Sequence, residues 1–112
     1  MGVHEPTKVS EKALLDLLGL AARSGNVVAG TDLVRRAVRH GKIAAVLLAA
    51  DASPTQREKL VPLLDARQIR YQVVLRREQF GGALGRAPVS AVGVTNESFA
   101  RRVVELAAAL QD

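Results

Sequence analysis

At 112 residues the chain has room for one folded domain and little more, and its 48% hydrophobic content fills one core without metal or disulfide support. Cysteine is absent, which excludes disulfide frameworks, thiol nucleophiles and thiolate metal sites. Sixteen Lys+Arg against eleven Asp+Glu give a formal charge of +5, which by itself points only weakly to an anionic partner.

Residues 1–9, which include Glu5 and Pro6 and no apolar run, are expected to form a flexible tail without a secretory leader, ahead of a single domain over residues 10–112. Ser10 is placed to cap a first helix whose Leu14, Leu17, Leu18 and Ala21 repeat at the spacing of one buried stripe. Gly25 reads as its left-handed stop. A short extended piece, 26–29, leads to Gly30-Thr31 and a second helix that buries Val34, Ala37, Val38 and Gly41 and ends at Gly41. The apolar run 44–50 predicts a strand covered on both faces, and it is far too short to span a bilayer. Ser53-Pro54-Thr55-Gln56 opens a third helix with a serine cap, a first-turn proline and a capping-box glutamine. Pro62, whose ring opposes the carbonyl of Glu58, predicts a break or kink near Leu60-Val61. Ile69, Tyr71, Val73 and Leu75 alternate with Arg70, Gln72 and Val74, as in a half-exposed strand near a sheet edge. A short helix over 76–84 stops at Gly85, and a strand follows over 90–95. Asn96 then caps a last helix with Phe99, Val103, Leu106 and Leu110 on its apolar side. Strands separated by helices imply an α/β sandwich with much parallel pairing.

Catalytic and metal-binding patterns are not found. His4 and His40 have no partner at metal-ligand spacing, and no serine sits in a nucleophile elbow. The glycines of 80–85 lack both the spacing and the lysine of a phosphate loop and read as a helix end. No cofactor, metal, membrane or small-molecule substrate is expected, and the chain reads as a cytoplasmic, monomeric non-enzyme.

Charge is unevenly spread. The windows 23–42 (Arg23, Arg35, Arg36, Arg39, Lys42 against Asp32) and 67–86 (Arg67, Arg70, Arg76, Arg77, Arg86 against Glu78) each hold five basic residues and one acid. Arginine outnumbers lysine twelve to four, and a guanidinium bridges phosphate oxygens bidentately. The stretch 27–41 combines a glycine turn, a helix start whose amides attract phosphate, and Arg35 and Arg39 on one helix side. It is either an ordinary solvated face or a nucleic-acid-binding one.

The order Leu17-Leu18-Gly19-Leu20-Ala21-Ala22-Arg23-Ser24-Gly25, then Ala37-Val38-Arg39-His40-Gly41 and Ala50-Asp51-Ala52-Ser53-Pro54, closely resembles the kink-turn RNA-binding ribosomal-protein family. That family is named for the large-subunit ribosomal proteins seven-Ae and thirty-e, and the chain is most similar to its bacterial YlxQ-like branch. The similarity continues through Arg77-Glu78-Gln79-Phe80-Gly81 and Ala83-Leu84-Gly85 into Val94-Thr95-Asn96-Glu97-Ser98-Phe99-Ala100, nearly the whole chain from Ser10 onward. The resemblance implies a three-layer α/β/α sandwich with a four-stranded mixed sheet, and binding of structured ribosomal or translation-related RNA, typically a kink-turn, without catalysis. It implies contacts from Arg23, Gly30, Thr31, Asp32, Arg35, Arg36, Arg39 and Lys42, and from the loop before the last strand through Gly85, Arg86, Pro88 and Val89. In the family's Gly-x-Asn-Glu-x-x-Lys segment, Gly30 matches the glycine and Arg36 the lysine. Asp32 stands for asparagine, and Leu33 stands where the base-reading glutamate belongs. A leucine accepts no hydrogen bond from a guanine edge, which leaves room for a protein-interaction adaptor on the same fold. In the loop, Pro88 and Val89 either pack against a splayed base or sugar, or Val89 simply starts the strand.

Overall fold

The computed structural model describes residues 7–111. Of the tail expected over 1–9, residues 1–6 lie outside the described residues, and Thr7 already begins helix α1, Thr7–Arg23. Ser10 is therefore inside the helix and not its cap. Leu14, Leu18 and Ala21 are fully buried, with Leu17 partly so. The helix closes where Gly25 turns left-handed (φ +76), which lets Asn26 N–H return to the Ala21 carbonyl at 2.9 Å.

The elements that follow are β1 Val27–Ala29, α2 Thr31–Arg39, β2 Ala45–Leu48, α3 Pro54–Ala66, β3 Arg70–Val73, α4 Arg77–Leu84, β4 Ala91–Val94 and α5 Glu97–Ala109. The four-stranded sheet has the order β1-β4-β2-β3. β4 runs antiparallel to both β1 and β2, and only β2 and β3 are parallel. The sheet is mixed, as the resemblance implies, and the largely parallel pairing expected from the alternation of elements is corrected. The reason lies after α4. Arg86 N–H bonds to Gly81 O and Val89 N–H to Arg77 O, so the chain folds back on α4 and enters β4 from the end at which β3 finished. A parallel entry requires a crossover to the other end.

Alternating side chains split the core into two layers. Ala45, Leu47, Val92 and Val94 face α1, α4 and α5, with Phe80 and Val103. Val46, Leu48 and Ala91 face α2 and α3, through Val34, Val38, Leu60 and Leu64. On this second face Gly93 leaves the space that Ile43 fills; a Cβ there would meet the Ile43 Cδ1 at 2.8 Å.

Three local expectations change. α3 runs unbroken through Pro62, whose exposed ring leaves Leu60 and Leu64 free to bury on either side. Gly41 is exposed and does not belong to the buried side of α2, although its φ of +69 does end that helix. α5 buries Ala100, Val103 and Ala107 most deeply and Phe99, Leu106 and Leu110 only partly, because the small alanines let its backbone approach the sheet and α1. Elsewhere the signals hold: Ser53 Oγ accepts from Gln56 N–H at 3.2 Å, and Asn96 Oδ1 accepts from Phe99 N–H at 3.0 Å.

Candidate nucleic-acid interface

α2 begins at Gly30, which adopts φ 102 and ψ 142, a backbone conformation that side-chain-bearing residues rarely take. Gly30 N–H bonds to Ala91 O at 2.9 Å, tying the end of β1 to the start of β4. No side chain caps α2, so its first-turn amides keep the partial positive charge of an open helix start.

Thr31, Val34 and Val38 point into the core, which fixes what the rest of the helix presents. Asp32, Arg35, Arg36, Arg39 and His40, spaced at i, i+3, i+4, i+7 and i+8, line an open concavity of about 360 Å³. Among the described residues, no ion pair engages Arg35, Arg36 or Arg39. The acid in the row is answered from α3, where Lys59 Nζ lies 3.6 Å from Asp32 Oδ1. Both partners are well exposed, so the pair lowers the local negative charge more than it stabilises the fold. Leu33, on the opposite flank of Asp32, is 53% exposed.

The loop before β4 reaches the same end of the sheet as the start of α2. Ala49 N–H bonds to Ser90 O at 2.9 Å, one residue before the Ala91 carbonyl that holds Gly30. Gly85, at φ +69, terminates α4, and Arg86 and Pro88 are exposed. Val89 is buried in the core with Val92 and Phe80, so its side chain is not presented on the loop surface; it leads into the strand. Thr31 is likewise buried and offers its backbone rather than its hydroxyl.

The expected residues thus fall into groups. Gly30, Thr31 and Asp32 share one end of the sheet with the loop that carries Gly85, Arg86 and Pro88; Arg35, Arg36 and Arg39 run along α2; Arg23 and Lys42 lie at the far end. Arg23 closes α1 ahead of the first residue of β1, and Lys42 follows α2, its N–H bonded to Ala37 O at 3.0 Å. Two neighbours of the row carry no such signal in the sequence: Lys59, which answers Asp32, and Arg67, which closes α3 against the far end of α2. The Arg67 Nη1 donates to the carbonyls of Val38 (3.3 Å) and Arg39 (3.5 Å). A partner 29 residues away in sequence leaves no local signal.

Beneath the loop, Asp51 accepts a 2.8 Å bond from Arg77 N–H, and its Oδ2 lies 3.8 Å from Arg77 Nε. That backbone bond, helped by the nearby positive charge, holds the carboxyl below the usual aspartate value. Among the described residues there is no group of three or more metal-ligating side chains, and no helix is long and apolar enough to cross a membrane.

Fold and charge together define a small α/β/α sandwich that carries a cationic helix on one face. Residues 12–104 match the Ribosomal protein L7Ae/L30e/S12e/Gadd45 family, and the chain belongs to that family. The family is non-enzymatic. The chain is 34% identical to the RNA-binding protein YlxQ of Bacillus subtilis over 90 residues, 80% of this chain and 90% of that protein. It is 30% identical to the large ribosomal subunit protein eL8 of Thermoplasma volcanium over 92 residues, 81% of this chain and 75% of that protein. Among solved structures, a protein of unknown function from Bacillus halodurans superposes with a TM-score of 0.82 at 34% identity, over 85% of this chain and 96% of that one. A Giardia lamblia 15.5kD RNA binding protein shares the fold, with a TM-score of 0.74 at 20% identity over 96% and 92% of the two chains.

Proposed function

We propose that this chain binds structured RNA, of ribosomal or translation-related origin, as a cytoplasmic monomer that performs no catalysis and takes no small-molecule substrate. The open start of α2 and the exposed part of the 85–90 loop hold the RNA backbone, and Arg35, Arg36 and Arg39 take phosphates along the helix. The observation that carries this reading is the row of three arginines in no ion pair among the described residues, on a helix without a side-chain cap. The RNA-binding name of the Bacillus subtilis relative and the ribosomal name of the archaeal one agree with it.

The RNA is kink-turn-like in shape, read with less sequence discrimination than the family's usual segment gives. Leu33 cannot accept from a guanine edge, so recognition there rests on shape and phosphate contact. Filter binding at low salt with a kink-turn RNA tests the reading. Log K is expected to fall with log salt by about 0.7–0.9 per phosphate contacted. Replacing Arg35, Arg36 and Arg39 together with alanine lowers that slope by about two to three while the far-UV circular dichroism is unchanged. Absence of RNA binding, or binding indifferent to salt, sinks it. The exposure of Leu33 favours a second reading, a protein-interaction adaptor, which predicts a protein partner that stays bound after ribonuclease treatment.

A further inference from the structure

The unpaired cations do not stop where α2 meets the loop. Arg39 ends the helix, Lys42 follows one residue after the Gly41 turn, and Arg67 closes α3 beside Arg39. One guanidinium nitrogen of Arg67 binds the Val38 and Arg39 carbonyls. The remaining donors of its fork have no partner among the described residues, and the contact fixes the group against the end of α2. Arg39, Lys42 and Arg67 are in no ion pair among the described residues. The neighbouring carboxylate on the last turn of α3, Asp65, pairs with none of them. The patch lies about 12 Å from the start of α2, eight residues at 1.5 Å each.

Its composition says what kind of RNA it fits. Sequence-tolerant binding of single strands runs on aromatic platforms, and here Phe80 is buried while Tyr71 and Phe99 are partly buried on other elements. Cations without a Phe, Tyr or Trp among them match the backbone of a duplex, which proteins contact through phosphates and shape.

We propose that Arg67, with Arg39 and Lys42, forms a second contact patch that holds the phosphates of a helical stem continuing away from the segment bound at the start of α2. This rests on the RNA-binding reading above and adds to it a requirement for a flanking duplex of sufficient length.

The experiment uses the full chain and two synthetic kink-turn RNAs, one with flanking stems of about four base pairs and one with stems of about twelve, long enough to pass the patch. Wild-type protein is expected to bind the long RNA more tightly. Arg67→Gln, which keeps an amide donor for the carbonyls of α2 but removes the charge, is expected to lose roughly tenfold on the long RNA, with a salt slope lower by about one. Its affinity for the short RNA stays as in wild type, and Arg67→Lys restores the slope. Equal wild-type affinity for both RNAs overturns the proposal. So does an Arg67→Gln protein that binds the long RNA as wild type does, or one that loses affinity for both RNAs equally, which marks Arg67 as a helix brace only. If wild type binds neither RNA, the RNA-binding reading falls first and this one with it.

Discussion

Two glycines and one aspartate set the geometry around the proposed interface residue by residue. Gly30 has free space where a Cβ would go, so the obstacle to substitution is its φ of +102 alone. Gly30→Ala is expected to destabilise the fold by about 1–3 kcal/mol, read as a lower urea midpoint with an unchanged denaturant slope. Gly81 has an ordinary backbone but no room; a Cβ would lie 2.7 Å from the carbonyl oxygens of Arg86 and Ala87. A methyl there pushes the returning loop off α4. Asp51 ties that same helix start to the loop after β2 through its bond from Arg77 N–H. Because its carboxyl titrates below the ordinary value of 3.8 when folded, its contribution is complete above that value and is lost as pH falls through the lower, folded one. The stability advantage of wild type over Asp51→Ala is therefore flat from neutrality down to about pH 4 and shrinks in more acidic buffer. An advantage that stays constant into strong acid contradicts this, as denaturant titrations across that range will show.

At the scale of elements, local signals are those that sterics enforce within a few residues. Gly25, Gly41 and Gly85 each take the left-handed turn that ends a helix, and Ser53-Pro54 could open one in almost any fold. The burial of β2 on both faces follows from its unbroken apolar run. Strand direction does not follow, since alternation fixes which face a residue takes and not which way its neighbour runs. The antiparallel entry of β4 depends on the fold-back after α4, a matter of two backbone bonds. Likewise the helix-breaking tendency of Pro62 is overridden because Leu60 and Leu64 are anchored on both sides of it. The cost of that override remains. Pro62→Ala restores an N–H that can reach the Glu58 carbonyl and is expected to stabilise the domain by about 1–3 kcal/mol, measurable as a higher denaturant midpoint. No gain would mean that α3 bends around the proline without loss.

For the whole molecule, the deciding feature is how the +5 is distributed. Among the described residues five cations are held in ion pairs, Lys12, Lys59, Arg70, Arg77 and Arg102, whereas the arginines of the α2 row are left unanswered. The basic windows in the sequence predicted the row but not its limits. Arg23 and Lys42 belong to the opposite end from Gly30, and Arg67 reaches the end of α2 only through the packing of α3 on it. Like charges at i, i+4 on one helix repel by about 0.2–0.5 kcal/mol per pair. The triple alanine variant of Arg35, Arg36 and Arg39 should therefore melt no lower than wild type in dilute buffer, with the difference narrowing as salt is added. A large loss of melting temperature would show that these side chains hold the fold together and are not free for a ligand.

The single bond from Gly30 N–H to the Ala91 carbonyl has a mechanical consequence. It rivets the threshold of the helix to the first residue of β4, so the helix start and the strand that the loop feeds are tied at one point. An RNA gripped at both places, as proposed above, would meet a clamp already set to one width.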